Sequence, residues 1–232
     1  MHDKLWYLSK IRIFEALPPE DLIEIDQMAP MTHFNSIPKG TIVQSPEMNR
    51  DGLFFIKTGK LRMYKLSPDG KQFTAGILGP GNMFGEIDAF SLGTRGLYIE
   101  TLEETLLCSV LKTHFESFLL KRPQLALRFL KEISAKLQET TELLEKLALG
   151  NVRDRIIFLL LKLSVQFGVT EESFKRIDFK LTHQEIANMI GATRESVTSS
   201  LNELVKQGII RTGRSKIYVD QLKAEEDLLL EK

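Results

Sequence analysis

The sequence predicts an α+β fold in three parts: an N-terminal antiparallel β-roll, one long helix, and a C-terminal winged helix-turn-helix. Three observations support this prediction. Ten of the 15 glycines lie within residues 38–112 and separate short β-rich runs, which is typical of antiparallel rolls and barrels. Residues 124–148 contain neither Gly nor Pro. Residues 181–206 hold two short amphipathic segments on either side of a glycine turn.

The composition is that of an ordinary globular protein and excludes several classes. The chain has 31 Lys and Arg residues and 31 Asp and Glu residues, so its formal net charge is zero. This balance argues against a protein that coats DNA through bulk positive charge. The single cysteine, Cys108, excludes a disulfide framework within the chain and is expected to be a small buried apolar residue. No apolar run reaches about 18 residues and no secretory apolar core is present at the N-terminus, so we expect no membrane partner and a cytoplasmic location.

The N-terminal part is expected to begin with helices over residues 1–35 and to continue as the roll. The apolar residues at near-helical spacing around the Pro18-Pro19 break are Leu17, Leu22, Ile25 and Met28. Strands are expected at residues 53–57, 61–64 and 105–111, because β-branched, aromatic and aliphatic side chains are concentrated there. Residues 67–70, Ser-Pro-Asp-Gly, predict a tight turn between two strands.

The long helix over residues 124–148 carries a seam with the spacing of a coiled coil. The seam residues lie 3, 4, 3, 4 and 3 positions apart: Leu130, Ile133, Leu137, Thr140, Leu144 and Leu147. We expect this seam to pair with a second copy of the chain, and packing within the chain is the alternative. Thr140 is polar, so its hydroxyl either bonds to its own helix or holds a polar group bound between two helices.

Residues 151–232 are expected to form the winged helix-turn-helix. Gly150-Asn151 ends the long helix, and a polar stretch over residues 168–175 precedes a short strand around residues 177–179. The expected domain boundaries are therefore 1–123, 124–150 and 151–232.

The helix-turn-helix itself is indicated by its caps and turns. Thr182 followed by Glu185 is a capping box that starts the first helix. Gly191-Ala192 makes the turn, and Thr193 caps the second helix. Gly213-Arg214-Ser215 is then the turn of a two-stranded wing.

In such a unit the first turn of the second helix contacts base edges in the major groove. Arginine can bind guanine with two hydrogen bonds, and glutamate can accept from cytosine N4. The candidate base-contacting residues are Thr193, Arg194, Glu195, Thr198 and Ser199. Thr182 and Gln184 are candidates for phosphate contacts, with plain helix capping as the alternative. Residues 175–223 hold nine Lys or Arg against five Asp or Glu, so this segment is locally basic.

Roll, long helix and winged helix-turn-helix, in this order over essentially the whole chain, resemble the CRP/FNR family of bacterial transcription regulators. The most specific stretches are residues 84–90 (FGEIDAF), 136–141 (KLQETT) and 193–197 (TRESV). The resemblance implies a homodimer on palindromic double-stranded DNA, with recognition helices in major grooves roughly 34 Å apart. It also implies contact with RNA polymerase, and an effector in the roll that reorients the DNA-binding domains about a hinge at residues 149–152. Ser199 stands where the family usually has arginine, which predicts a related but altered half-site.

In the cyclic-AMP branch of this family, a Gly-Glu pair and a later Arg-Ser pair bind the cyclic nucleotide, together with two residues of the long helix. The corresponding effector-binding candidates here are Gly85, Glu86, Arg95, Gly96, Thr140 and Thr141. Arg95 lies one residue closer to Glu86 than in that pattern, and Gly96 lacks the serine hydroxyl. Three possibilities therefore stay open: a cyclic nucleotide, another small anionic or organic effector, or no effector.

The alternative function is a cyclic-nucleotide-binding interaction module that does not bind DNA, since a winged helix can also dock a protein. An enzyme is not expected, because the sequence has no nucleophile and base at motif spacing and no P-loop. The four histidines are scattered and predict no metal site. The oxygen-sensing and haem branches of the family are disfavoured, because the chain lacks an N-terminal cysteine cluster and a histidine near Glu86.

Overall fold

The computed structural model describes residues 9, 11, 14–15, 17–28, 36–48, 52–87, 90–110, 112–213 and 216–230. The chain divides into two compact units, residues 1–137 and 138–232, and the long helix contributes to both. Most of the region expected to be helical before Pro18 lies outside the described residues. Within the described ranges, no helix is both long enough and apolar enough to cross a membrane.

The first unit is an antiparallel β-roll with helices packed against it, which confirms the expected fold. Its helices are α1 (Pro19–Met28), α2 (Lys112–Leu120) and the first part of α3 (Pro123–Leu149). Its strands are β1 (Ser36–Ile37), β2 (Ile42–Gln44), β3 (Gly52–Thr58), β4 (Leu61–Leu66), β5 (Gln72–Leu78), β6 (Met83–Ile87), β7 (Phe90–Ser91), β8 (Tyr98–Thr101) and β9 (Thr105–Val110). One sheet has the order β1-β9-β3-β6-β7 and the other the order β2-β8-β4-β5.

Strand β3 is buried on both faces and separates two cores. Leu53 and Phe55 point into a core shared with the helices, whereas Phe54 and Ile56 point into the core between the two sheets. A strand buried on both faces has a continuous apolar sequence, as residues 53–56 do. Cys108 is 7% exposed and belongs to the helix-side core, as expected for a small apolar residue.

Gly85 allows two strands of the roll to approach more closely than any side chain would permit. Its φ is +120°, and a Cβ atom there would lie 2.2 Å from the carbonyl oxygen of Gly52 on the paired strand β3. Only glycine tolerates both conditions. The position of Glu86, the next residue of β6, therefore depends on this contact.

Helix α3 presents two different faces. Leu125 and Phe129 are buried in the helix-side core, and Ile133 is partly buried against the same core. Of the expected seam residues, Ile133 packs partly within its own chain, because it follows Phe129 by one helical turn. Leu130, Leu137 and Leu144 lie on another face and are exposed.

The second unit is a small α+β domain. Its elements after α3 are α4 (Val152–Phe167), β10 (Gly168–Glu171), β11 (Phe174–Ile177), α5 (His183–Ile190), α6 (Arg194–Lys206), β12 (Ile210–Gly213), β13 (Lys216–Val219) and α7 (Gln221–Leu230). The expected helix-turn-helix is α5 and α6. The strands form one antiparallel sheet in the order β10-β11-β13-β12.

One expectation for this unit was wrong in detail. The polar stretch over residues 168–175 forms most of the β10–β11 hairpin, and the strand expected around residues 177–179 ends at Ile177. The expected two-stranded wing is formed by β12 and β13, and it belongs to the four-stranded sheet because β13 pairs with β11 as well as with β12. Buried Phe174 and Ile177 anchor the hairpin, whose other residues are mostly polar. Arg214 and Ser215 of the predicted wing turn lie outside the described residues.

The junction between α3 and α4 is a capped break. Asn151 caps α4 by accepting from the Asp154 N–H at 3.0 Å, and Asp154 accepts from the Asn151 N–H at 3.3 Å. Arg155 donates to the Gly150 carbonyl at 3.0 Å and to the Ile190 carbonyl at 3.5 Å. The break is thereby tied to the end of α5.

Candidate DNA interface and effector site

Helix α5 begins and ends as the sequence predicts. The Thr182 hydroxyl accepts from the Glu185 N–H at 3.2 Å, and the Glu185 carboxylate accepts from the Thr182 N–H at 2.6 Å. Gly191 ends the helix in the left-handed region, with φ +65°. The cap uses the Thr182 hydroxyl oxygen only as an acceptor, so its hydrogen is available for another acceptor such as a phosphate oxygen.

Helix α6 has one buried and one exposed face. Thr193 caps it by accepting from the Ser196 N–H at 3.2 Å. Val197, Leu201 and Leu204 are buried against the rest of the unit. Among the predicted base-contacting residues, those with exposed side chains are Thr193, Arg194, Glu195 and Ser199. The helix is thus held by its apolar face while its first turn stays open to a ligand.

Thr198, a further predicted base-contacting residue, lies between the two helices. Its hydroxyl donates to the Arg194 carbonyl at 2.8 Å and lies 2.8 Å from Nδ1 of His183 on α5. The residue is half-buried, since it follows buried Val197 by one position and so lies at the edge of the exposed face. It joins α6 to α5.

The helix-turn-helix and the sheet enclose a cleft of about 510 Å³. Thr182, His183 and Gln184 line it from α5 and its cap, Arg194 from α6, and Lys216 from β13. Three of the predicted DNA-contacting residues therefore lie together around one cleft. The threonine, glutamine and basic side chains of its lining can bind the oxygens of a phosphodiester backbone.

The basic side chains of this unit differ in whether they form ion pairs. Hydrogen bonds to Glu171 and Asp178 hold the Arg176 guanidinium and raise its pKa. Arg194 and Lys216, in contrast, have no ion pair within the part of the chain that the structure describes. These two basic side chains at the cleft can therefore meet a ligand.

In the roll, Glu86 is a buried carboxylate with one oxygen unsatisfied. Glu86 is 5% exposed, and its Oε1 accepts from the Thr94 hydroxyl at 3.1 Å. The Thr94 hydroxyl oxygen in turn accepts from the Gly85 N–H at 3.1 Å. Glu86 Oε2 is buried and has no hydrogen-bond partner among the described residues. A buried carboxylate oxygen of this kind can accept a hydrogen bond from a bound molecule or from water.

The loop before β8 carries the two other effector-binding candidates of the roll. Gln44 is 1% exposed and donates to the Thr94 carbonyl at 2.8 Å, which fixes the loop beside Glu86. Arg95 follows, and its Nε lies 3.8 Å from Glu86 Oε2, too far for a hydrogen bond. The Arg95 side chain is 73% exposed, and the space beside Gly96 is open. The structure thus brings Gly85, Glu86, Arg95 and Gly96 together.

Tyr98 and Glu100, which follow this loop, belong to a different surface. Ile99 between them is in the core between the sheets, so both point to the opposite face of β8. Glu100 accepts from Arg62 at 2.8 Å, and Tyr98 stacks on Tyr64 with ring centroids 5.2 Å apart. Burial first, and then the Glu100 charge, raises the pKa of Tyr64. This cluster holds β4 and β8 together, away from Glu86.

Thr140 and Thr141 lie on the part of α3 that belongs to the second unit. Both are exposed. Next to them, Glu139 forms an ion pair with Lys162 of α4 at 3.1 Å. The end of the long helix that carries the two threonines is therefore linked to the first helix of the C-terminal domain.

Two family models match the chain: a cyclic nucleotide-binding domain over residues 34–122 and a Crp-like helix-turn-helix domain over residues 154–224. A CRP-like cAMP-activated global transcriptional regulator from Mycobacterium tuberculosis is 29% identical over 214 residues, covering 92% of this chain and 94% of the relative. A cyclic AMP receptor protein from Thermus thermophilus is 26% identical and covers 93% and 95%. The crystal structure of a CRP/FNR-family transcriptional regulator, also from Thermus thermophilus, matches with a TM-score of 0.66 and 26% identity, covering 84% of this chain and 97% of that one.

The chain belongs to the CRP/FNR family of transcription regulators. This CRP/FNR regulator combines a DNA-binding helix-turn-helix with a cyclic-nucleotide-binding type of roll, so DNA binding is favoured over the interaction module considered above. Its relatives are transcription regulators, which are not enzymes. A domain of the cyclic-nucleotide-binding type implies a small-molecule effector.

Three polar residues of this CRP/FNR regulator were not singled out as site residues from the sequence. Thr94 and Gln44 orient Glu86 and the loop that carries Arg95, and His183 connects α5 to α6. The sequence does signal Thr94, since it directly precedes Arg95, and His183, since it directly follows the Thr182 cap. Gln44 gives no local signal, because it lies 50 positions away from Thr94 along the chain.

Proposed function

We propose that the protein is a homodimeric, effector-controlled regulator that binds palindromic double-stranded DNA. The observation that carries this proposal is the exposed first turn of α6, where Thr193, Arg194 and Glu195 project from a capped helix whose other face is buried. A helix held in this way presents its first turn to base edges in the major groove. Thr182 and Gln184 then contact phosphates beside the groove.

Arg194 and Glu195 supply most of the sequence discrimination. The Arg194 guanidinium binds guanine O6 and N7, and the Glu195 carboxylate accepts from cytosine N4. Ser199, on the same exposed face, offers one hydroxyl where the family usually has an arginine fork. We therefore expect a half-site related to that of the cyclic-AMP branch but altered at one base pair.

The test is selection from a randomised duplex pool with the wild type and with Ser199→Arg. Both proteins should return inverted repeats, and the two consensus sequences should differ at one position in each half-site. Recovery of only non-palindromic sequences would contradict dimeric docking. Failure to retain any duplex at low salt would contradict DNA binding altogether.

The dimer forms through α3. Leu130, Leu137 and Leu144 are 59%, 67% and 61% exposed and recur every seven residues, so they share one face of the helix. A row of exposed leucines on one helix is stabilised when a second copy covers it. Thr140 lies within the same seam, where two copies would bring their threonines close to each other.

The effector is a cyclic nucleotide bound in the roll. The unsatisfied Oε2 of Glu86 and Oε1 of Gln44 are buried acceptors, which suit the hydroxyl of a ribose. Arg95, largely exposed beside them, offers a guanidinium fork that suits a cyclic phosphate. Thr140 and Thr141 of α3 remain the candidates for contacts to the base, as the resemblance to the cyclic-AMP branch implies. The cAMP-activated regulator and the cyclic AMP receptor protein among the relatives support this choice.

Calorimetry with cyclic AMP and cyclic GMP tests the effector, using Arg95→Ala, Glu86→Gln and, as the control, Lys71→Ala at an exposed hairpin turn. Binding should be lost or strongly weakened in the first two variants and unchanged in the third. An unchanged heat in Arg95→Ala would contradict the phosphate assignment. Absence of heat with both nucleotides would overturn the choice of effector without affecting the DNA-binding proposal.

Effector binding is transmitted to DNA through the junction of α3 and α4. The functional divisions are 1–123, 124–150 and 151–232, and residues 149–152 are the hinge between the second and the third. Arg155 holds the Gly150 carbonyl of that hinge. The regulator acts on bacterial DNA in the cytoplasm, where it contacts RNA polymerase from its operator.

A further inference from the structure

The hydrogen bonds between α5 and α6 determine which nitrogen of His183 carries a proton. The Thr198 hydroxyl oxygen lies 2.8 Å from the Arg194 carbonyl oxygen and 2.8 Å from Nδ1 of His183. A hydroxyl has one hydrogen, and a carbonyl oxygen can only accept. Both contacts are hydrogen bonds only if the hydroxyl donates to Arg194 and the imidazole Nδ1–H donates to the hydroxyl.

The second ring nitrogen of His183 then changes character with protonation. In the neutral ring with a hydrogen on Nδ1, Nε2 is an acceptor and cannot bond a phosphate oxygen. When the ring gains a second proton, Nε2 becomes a charged donor. Imidazole is the side chain that ordinarily changes its charge between about pH 5 and 8.

His183 lies where a change in its charge would affect the binding of DNA. It lines the cleft together with Gln184 and Arg194, on the surface through which the proposed function brings the phosphate backbone. We propose that His183 is a proton-operated phosphate contact, so that operator affinity rises as the pH falls. This inference rests on the proposed DNA docking and adds to it a regulating condition, the proton concentration.

Among the described residues, the charged groups that line the cleft with His183 are Arg194 on α6 and Lys216 on β13. Glu185 on α5 is engaged with the Thr182 N–H. A phosphate in the cleft places a negative charge against the ring and favours its protonated form. Binding of DNA and binding of a proton are therefore coupled.

The coupling is measured by fluorescence anisotropy with a duplex selected from the randomised pool, at constant ionic strength, with and without cyclic AMP. We expect wild-type affinity to be about tenfold higher at about pH 6 than at about pH 8 for a dimer with two such contacts. The slope of log affinity against log salt should be steeper at the lower pH by about 0.9 for each added phosphate contact.

Three variants assign the effect to this residue. His183→Gln should bind with little dependence on pH, and His183→Arg should bind tightly with little dependence on pH. His114→Gln, a matched loss of a histidine from α2 in the other unit, should keep the wild-type dependence. A wild-type affinity that does not change with pH, or a pH dependence that persists in His183→Gln, would overturn the proposal.

A measurement without DNA tests the geometric step separately. Nitrogen chemical shifts of the neutral His183 ring should identify the Nδ1–H form in the wild type and in Thr198→Ser, and the more usual Nε2–H form should increase in Thr198→Val. An Nε2–H ring in the wild type would overturn the assignment. If no duplex is retained at any pH while the ring is in the Nδ1–H form, the DNA-binding proposal fails and the hydrogen-bond assignment stands.

Discussion

Replacing Gly85 by alanine should destabilise the roll far more than other single-methyl additions near the effector site. The new Cβ atom would lie 2.2 Å from the carbonyl oxygen of Gly52, a backbone atom that cannot rotate away. The φ of +120° adds a conformational cost of about 1–3 kcal/mol for a residue with a side chain. Moving two paired strands apart costs about 1–3 kcal/mol more, giving about 4 kcal/mol in total.

The assay is thermal denaturation followed by the circular dichroism of the β-sheet. A loss of about 4 kcal/mol corresponds to a fall of roughly 14 °C in the melting temperature of the first unit, residues 1–137. Two controls separate the contributions. Gly96→Ala has a φ of +73° but open space, so it should cost about 1–2 kcal/mol. Gly76→Ala would meet only the flexible end of Met63, at 3.3 Å, and should be nearly neutral.

The relative order of the three melting temperatures tests whether the close contact at Gly85 matters. If Gly85→Ala melts within a few degrees of Gly96→Ala, the close approach of β6 to β3 contributes little, and the reasoning from the 2.2 Å contact is refuted. Gly85→Ala should also weaken effector binding at temperatures where it is still folded, because the displaced residue directly precedes Glu86.

Three further changes test the other parts of the molecule. Arg194→Ala should weaken operator binding by about 1–3 kcal/mol for each half-site and leave the melting temperature unchanged, since the side chain is exposed; a gel-shift titration measures the loss. Leu137→Glu should convert the dimer to a monomer in sedimentation experiments, and a persistent dimer would contradict the seam. Asp227→Asn removes an ion pair in which the Asp227 carboxylate accepts from Nη1 and Nη2 of Arg153, at 2.5 and 2.6 Å. This change should destabilise the second unit by about 2 kcal/mol. Glu226→Gln, a matched change at the exposed neighbouring residue, should leave the stability unchanged. Equal urea midpoints for Asp227→Asn and Glu226→Gln would show that the Arg153 contact is unimportant.

The parts of the fold that follow from short-range chemistry were predictable. Thr182 and Glu185 specify a helix start through a hydrogen-bond pattern that spans three residues, and the structure has both bonds. The same holds for the left-handed Gly191 and for the turn at residues 67–70. Each of these signals is complete within a few positions of the sequence.

The contacts that the sequence did not show are between residues distant along the chain. Ile133 fits the spacing of a dimer seam, but a core assembled from other elements covers part of it. Thr198 fits the exposed face of α6, but it lies close enough to His183 to bond it. A residue at the border of a helix face is exposed or covered according to what packs beside it. The periodicity of the sequence does not show that packing.

The double burial of β3 has a consequence for how the roll comes apart. Phe54 stacks on Phe84, with centroids 5.1 Å apart, in one core, while Phe55 contacts Phe14 at 5.4 Å in the other. Neighbouring residues of a single strand thus support both halves, so neither core can melt while the other stays intact. We expect amide hydrogens of β3 and of the buried start of α3 to exchange at the same rate, through one global opening. Separate rates would show that the two cores unfold independently.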